Sequence, residues 1–333
     1  IGFPDLPLPQ QAEWPLAEGV SAFSIDDEST TEVDDALSVQ DLPDGNKRIG
    51  IHIAAPALAI VPGSDIEKQI FQRQSTAYYP GGKITMLPEN WISAFSLDAG
   101  GERLAVSIYF DVNEQLEVSN PQTRVERVNI SENLRIGAIE PHFNAENGLD
   151  AEGEAMFAHH GELVWFYRLA IALQKQRGKY IEDATPIYDY GIEFADDGKV
   201  RISTRERGSP IDTLVSEMMI LANSTWAEML HNADLPGLFR VQPAGKVRMS
   251  TQSEPHIGMG VAHYGWFTSP LRRNADYINQ KQLASLIGIG EPRFENGDTM
   301  LFAALRDFDT TYSAYNDFQR ELEGYWSLVY LQQ

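Results

Sequence analysis

Residues Ser24–Val39, SIDDESTTEVDDALSV, decide the reading of this chain. Asp26, Asp27, Glu28, Glu32, Asp34 and Asp35 crowd together there between apolar stretches of strand character. Carboxylates at this density repel one another, and a hard divalent cation is the usual compensation. Mg²⁺ favours few carboxylates, several waters and a substrate phosphate, so the cluster fits metal-assisted phosphoryl chemistry. Two plainer readings compete. A solvated acidic loop is one. The other is an EF-hand, which needs Gly at its sixth position and Glu at its twelfth. Counted from Asp26 those positions hold Thr31 and Leu37, which excludes it.

Outward from the cluster, β-like segments dominate the first 130 residues. Lys47–Ala54 (KRIGIHIA) follows an Asp44-Gly45-Asn46 turn, and Ala105–Val112 (AVSIYFDV) leads into a short strand at Gln115–Val118. Ser64 is placed to cap a short helix through Gln72. The second half is more helical. Helix-period apolars run through Glu154–Arg177 and stop at Gly178; a hairpin turns at Asp196-Asp197-Gly198. Helices are expected at Ile211–Asn232 and Ser269–Ile287, with a long C-terminal one ending near Leu331. Residues 1–20, with four prolines, read as a linker or extended arm. Strands first and helices later predict a mixed α+β fold, and the absence of a long polar linker a single domain over 21–333.

Composition sets limits. The 333 residues are 43% hydrophobic and 22% charged, ordinary for a globular chain. No cysteine is present, which excludes disulfides and thiolate metal sites. No secretory signal is visible, and the apolar run Ile49–Val61 carries His52 and Pro56 and is too short to span a bilayer. A soluble cytoplasmic protein without membrane contact is expected, and the opening at Ile reads as a fragment or processed product. The net charge of −22 argues against nucleic acid, but Arg168–Lys179 has four basic residues and no acid. Arg240–Lys281 has six basic residues against Glu254 and Asp276. An acidic body with confined basic stretches can still focus a polyanion into a cleft.

Asp26, Glu32, Asp34 and Asp35 match the spacing of the four-acid signature in the catalytic RNB domain of the ribonuclease II / ribonuclease R family, with Glu32 where the family has Asp. Other segments resemble it in order: Gly50–Ala54 (GIHIA, followed by Ala55 instead of Asp), Tyr78–Pro88 (YYPGGKITMLP), Val215–Asn223 (VSEMMILAN), Thr268–Asp276 (TSPLRRNAD) and Tyr325–Leu331 (YWSLVYL). The resemblance implies a mixed β-sheet wrapped by helices around a single-strand channel. It also implies a metal-dependent 3′-to-5′ exoribonuclease that releases nucleoside 5′-monophosphates from single-stranded RNA.

By the same resemblance, Asp26 and Asp35 would ligate Mg²⁺ (or Mn²⁺) directly. Glu32, counted among the catalytic residues, would assist through water or a second metal. Asp34, counted with the other three acids in the metal site, would be the acid whose loss stops chemistry with least effect on RNA binding. Arg272 would contact the scissile phosphate, with Arg273 beside it. Ser269 as cap and Pro270 at the first helical position would put both arginines in the first turns of a helix, where free N–H groups favour an anion. The plainer alternative pairs Arg272 with Asp276 at i+4. Glu217, on an apolar helical stripe, would hold the terminal ribose hydroxyls, unless it only edges that stripe. Tyr78 would stack on bases unless it is a core tyrosine. Its partner position falls on Ile192, with Tyr190 and Phe194 on either side; Ile136 and Asn274 stand where the family uses aromatics.

The family flanks this domain with small RNA-binding barrels of OB and S1 type, none visible in these residues. If they are absent or cut away, affinity should fall more than chemistry, and activity of this chain alone should be strongly salt-sensitive. Two rivals stand beside the enzyme: a hydrolytically impaired RNB-fold protein binding RNA or a protein partner, and an acidic cation-binding interaction module.

Overall fold

The strand Lys47–Ala54 is the spine of the molecule. In a computed structural model of the chain, all residues are described except 1–5, 10–12, 150–154, 183, 184, 186 and 196. The chain enters through β1 (Leu16–Asp26), β2 (Asp35–Asp41) and β3 (Lys47–Ala54). Next come α1 (Pro56–Ala59), α2 (Asp65–Arg73), the hairpin of β4 (Ala77–Tyr79) and β5 (Gly82–Ile84), and α3 (Glu89–Phe95). Two long strands follow, β6 (Gly101–Val112) and β7 (Val118–Arg135). β1, β2, β3, β6 and β7 close into a barrel in that order; β7 returns to β1 in parallel and the other pairs are antiparallel, so the sheet is mixed.

β3 is buried on both faces. Ile49, Ile51 and Ile53 are fully enclosed on one, and His52 sits on the other between Ser38 Oγ and Ser107 Oγ at 2.8 Å each. Burial pushes the His52 imidazole down to about 3. A side chain at Gly50 would put its Cβ 2.5 Å from Ser38 Oγ and 2.6 Å from His52 Nε2, so this approach requires glycine.

The rest of the chain packs around the barrel: α4 (Ile136–Ile139), α5 (His160–Gln176), the hairpin of β8 (Ile187–Phe194) and β9 (Val200–Arg207), and α6 (Pro210–Asn232). The small hairpin of β10 (Phe239–Val241) and β11 (Arg248–Ser250) precedes α7 (Asn274–Leu286) and α8 (Thr299–Gln332). Strands dominate early and helices late, the α+β order expected. No helix among the described residues is long and apolar enough to cross a membrane.

Four boundaries differ from expectation, each for a local reason. β1 begins at Leu16, so residues 16–20 of the expected arm are strand; Arg127 N donates to Pro15 O and ties the entry to β7. The chain turns at residues 114–115, closed by Leu116 N on Asn113 O with Leu116 left-handed at φ 61°, and the strand starts at Val118. α5 starts at His160, after His159 at φ 62°; Glu154, the expected start, lies outside the described residues, as does Asp196 of the second hairpin's turn. α7 begins at Asn274, not Ser269. Thr76 N and Ser75 Oγ both donate to Arg272 O, which draws Arg273 into extended backbone at φ −139° and delays the helix.

Candidate active site

Asp26 ends β1 and Asp35 opens the neighbouring β2, so the loop 27–34 between them carries the other acids. That loop is pinned. Ala54 N donates to Asp34 O at 2.8 Å, Leu97 N to Val33 O at 2.9 Å, and Arg135 Nη1 to Asp27 O at 2.9 Å. Asp26 accepts from Ser24 Oγ at 2.6 Å, and Asn133 Nδ2 holds that hydroxyl at 2.8 Å. Burial raises the Asp26 carboxyl above its ordinary range. Burial, with Asp26's charge adding to it, pushes Asp35 up to about 7. No described residue donates a hydrogen bond to the Asp35 carboxylate.

Asp34 and Glu32 are differently placed. Asp34 Oδ1 accepts from the Leu271 amide at 2.9 Å, and Oδ2 from Arg272 Nε at 3.1 Å. Burial pushes Asp34 up to about 8 against the opposing pull of Arg272. Arg272 is oriented a second time by Ser269 Oγ, 3.0 Å from Nη2, yet 41% of its side chain stays exposed. Glu32 Oε2 accepts from Lys83 Nζ at 2.6 Å and Oε1 from Thr76 Oγ1 at 3.0 Å.

These groups share one cleft of about 960 Å³. Asp26, Glu32, Asp34, Asp35, Lys83 and Arg272 line it with Tyr78, Tyr190, Ile136 and Ile192, and α8 contributes Gln319 and Glu323. Tyr78 lies beside Arg272, and burial pushes its phenol up to about 12. Tyr190, 70% exposed, stands on the β8–β9 hairpin. Tyr78 is therefore a cleft residue and not a core one.

Two expected site residues lie elsewhere. Glu217 is buried in α6 with a side chain only 4% exposed, and Arg177 at the end of α5 donates to both of its oxygens. It does not line the cleft. Arg273 lines an adjoining cavity of about 170 Å³, pairs with Asp276 at 2.8 Å and lies 4.3 Å over the Trp266 ring. Asp276 thus serves Arg273, not Arg272. Sequence reasoning missed Lys83 and Arg177, because their partners stand 51 and 40 residues away and no spacing announces either pair.

Asp26 and Asp35 fit an oxygen-ligated divalent cation: two carboxylates at adjacent strand ends, both destabilised by burial, need positive charge. Among the described residues, no group of three or more His, Cys, Asp or Glu side chains is arranged to hold a metal ion. Water and substrate oxygens would have to complete its shell. Glu32 and Asp34, expected beside them as ligands, are instead engaged by Lys83 and Arg272, since a buried carboxylate is stable only when its charge is met.

The chain is 26% identical to an uncharacterized ribonuclease of Synechocystis, over 98% of its own length and 51% of the relative's. It is 26% identical to exoribonuclease 2 of Escherichia coli over 79% of its length and 49% of that protein's. It therefore spans about half the length of these curated relatives. In fold it matches Mycoplasma genitalium RNase R solved in complex with ribose-methylated single-stranded RNA: TM-score 0.81 at 17% identity, covering 96% of this chain and 59% of that one. Yeast Ssd1, described as a pseudonuclease, also matches, with TM-score 0.73 at 16% identity over 95% of this chain and 46% of its own. The RNB domain model aligns with residues 17–249 and 244–288. With the barrel, the cleft and this match, the chain belongs to the RNB domain family of ribonucleases.

Proposed function

We propose that the chain is a metal-dependent exoribonuclease that shortens single-stranded RNA from its 3′ end and releases nucleoside 5′-monophosphates. The observation that carries this reading is the meeting of Asp26, Asp35, the Asp34–Arg272 pair and Tyr78 in one cleft. The E. coli relative is named an exoribonuclease and the Mycoplasma structure contains single-stranded RNA, which supports the substrate class.

In the hydrolysis, a water oxygen bonds to phosphorus and the P–O3′ bond breaks, leaving a 3′-hydroxyl on the strand and a 5′-phosphate on the departing nucleotide. Asp26 and Asp35 would hold Mg²⁺ or Mn²⁺. When bound, such an ion neutralises phosphate oxygens and makes water a better nucleophile. Arg272, fixed by Asp34 and Ser269, keeps donors free for a phosphate oxygen, so little reorganisation is needed as charge develops there. Tyr78 offers a stacking face at depth and Tyr190 one at the rim, contacts that tolerate any base. Ile136 brings no hydroxyl to the cleft and Glu217 is sequestered, so discrimination against the deoxy sugar should be weak.

A second reading, an RNA-binding protein of impaired hydrolysis, is favoured by one observation: two of the four signature acids are neutralised by cations. A time course on 5′-labelled single-stranded RNA with Mg²⁺ or Mn²⁺, beside Asp34→Asn and a DNA strand of the same sequence, separates the two. The enzyme yields a ladder shortening from the 3′ end, absent in the variant. Intact RNA at every metal, with binding retained, establishes the impaired protein instead.

A further inference from the structure

Lys83 stands opposite Tyr78 in the β4–β5 hairpin, so the two side chains share a face and both line the cleft. Its ammonium lies 2.6 Å from Glu32 Oε2 and 2.7 Å from Thr31 Oγ1. The other Glu32 oxygen is occupied by Thr76 Oγ1, which in turn accepts from Met86 N at 3.0 Å. Glu32 is 2% exposed and Lys83 23%. The carboxylate is thus buried and satisfied at both oxygens, while the cation reaches the solvent of the cleft.

For Glu32 to bind a metal ion, Lys83 would have to leave or share one carboxylate with a dication at close range. Either arrangement is unfavourable, the first because it strips a buried carboxylate of its partner and the second because like charges repel. An ammonium carries three donors, and among the described residues two of them are engaged. The third is available to an acceptor in the cleft.

We propose that Lys83 takes the place of a second divalent cation. The Asp26–Asp35 pair holds a single ion, and Lys83, fixed by Glu32 and Thr31, supplies positive charge on the Glu32 side and donates to a phosphate oxygen of the bound strand. This rests on the metal-dependent reading above and assigns its electrostatics to particular residues.

Counting bound Mn²⁺ by electron paramagnetic resonance on the full chain tests it without recourse to activity. The wild type should bind one ion, and Asp35→Asn should lose it. Lys83→Met frees Glu32 and should bind two, whereas Lys83→Arg, which keeps the charge, and the double variant Lys83→Met/Glu32→Gln should bind one. Melting curves read beside the titration establish that each variant is folded, and the charge-keeping variant does not depend on Lys83→Met folding. Two ions in the wild type, or one in folded Lys83→Met, overturn the role of Lys83 and leave the exoribonuclease reading standing. No ion in the wild type at millimolar Mn²⁺ overturns both.

Discussion

Arg272 Nε stands 3.1 Å from Asp34 Oδ2, while the neighbouring Leu271 amide donates to Oδ1 of the same carboxylate at 2.9 Å. The contact joins residues 238 positions apart and aims the guanidinium into the cleft from a fixed base. On the proposed reading, Asp34 would serve catalysis by positioning, through Arg272.

Asp34→Asn retains an acceptor for Leu271 but replaces the Oδ2 that accepts from Arg272 Nε, so the contact that holds Arg272 is lost. Cleavage under single turnover should fall by roughly 10²–10³-fold, the scale of removing one transition-state donor. Binding of single-stranded RNA, read by gel shift, should change little. Arg272→Lys should lose a similar order of activity, because a point charge cannot meet Asp34 and Ser269 together in the geometry of the planar fork.

Arg177 neutralises the buried Glu217. Arg177→Met should destabilise the fold by about 3–5 kcal/mol, since it leaves a carboxylate enclosed without a partner. Denaturant titration measures this. Glu217→Gln should lower stability while leaving the KM for RNA unchanged; a rise in KM with unaltered stability would restore the ribose-contact role.

His52 sets an acid limit on the barrel. Its imidazole is held down to about 3 by burial, against about 6.5 in the unfolded chain. A depressed folded value means stability present above pH 6.5 that is lost as pH falls through the folded value, by up to about 1.4 kcal/mol per unit in that window. In His52→Gln this component vanishes, and the slope of unfolding free energy between pH 6 and about 4 should flatten relative to wild type.

Against the strong salt sensitivity expected from the sequence, the cleft predicts that salt should weaken RNA binding only moderately. Lys83 and Arg272 are the cations lining the cleft among the described residues, so with single strands the slope of log K against log salt should be about −1.4, roughly sevenfold from 50 to 200 mM. A much steeper slope, measured by fluorescence anisotropy, would place additional phosphate contacts outside this cleft.

Much of this was legible beforehand. β3 has the apolar periodicity of a strand, and the Ser64 cap and Gly178 stop act as expected. α6 and α8 follow from their patterns because helix periodicity is a local property. Ser269 and Pro270 form an equally good local start signal, yet α7 waits until Asn274 because hydrogen bonds from Ser75 and Thr76 compete for the same backbone.

The amino-acid sequence by itself determined the strand and helix order, the acidic cluster, the family, and the types of residue available for phosphate chemistry. Only the tertiary structure decided which carboxylates are open to a cation. Asp26 and Asp35 share adjacent strand ends, whereas Glu32 meets Lys83, Asp34 meets Arg272 and Glu217 meets Arg177. The reason is physical. Residue type and spacing encode periodicity and chemical capacity, but whether a buried charge stays free or is neutralised depends on segments far apart in the chain that folding brings within hydrogen-bond reach.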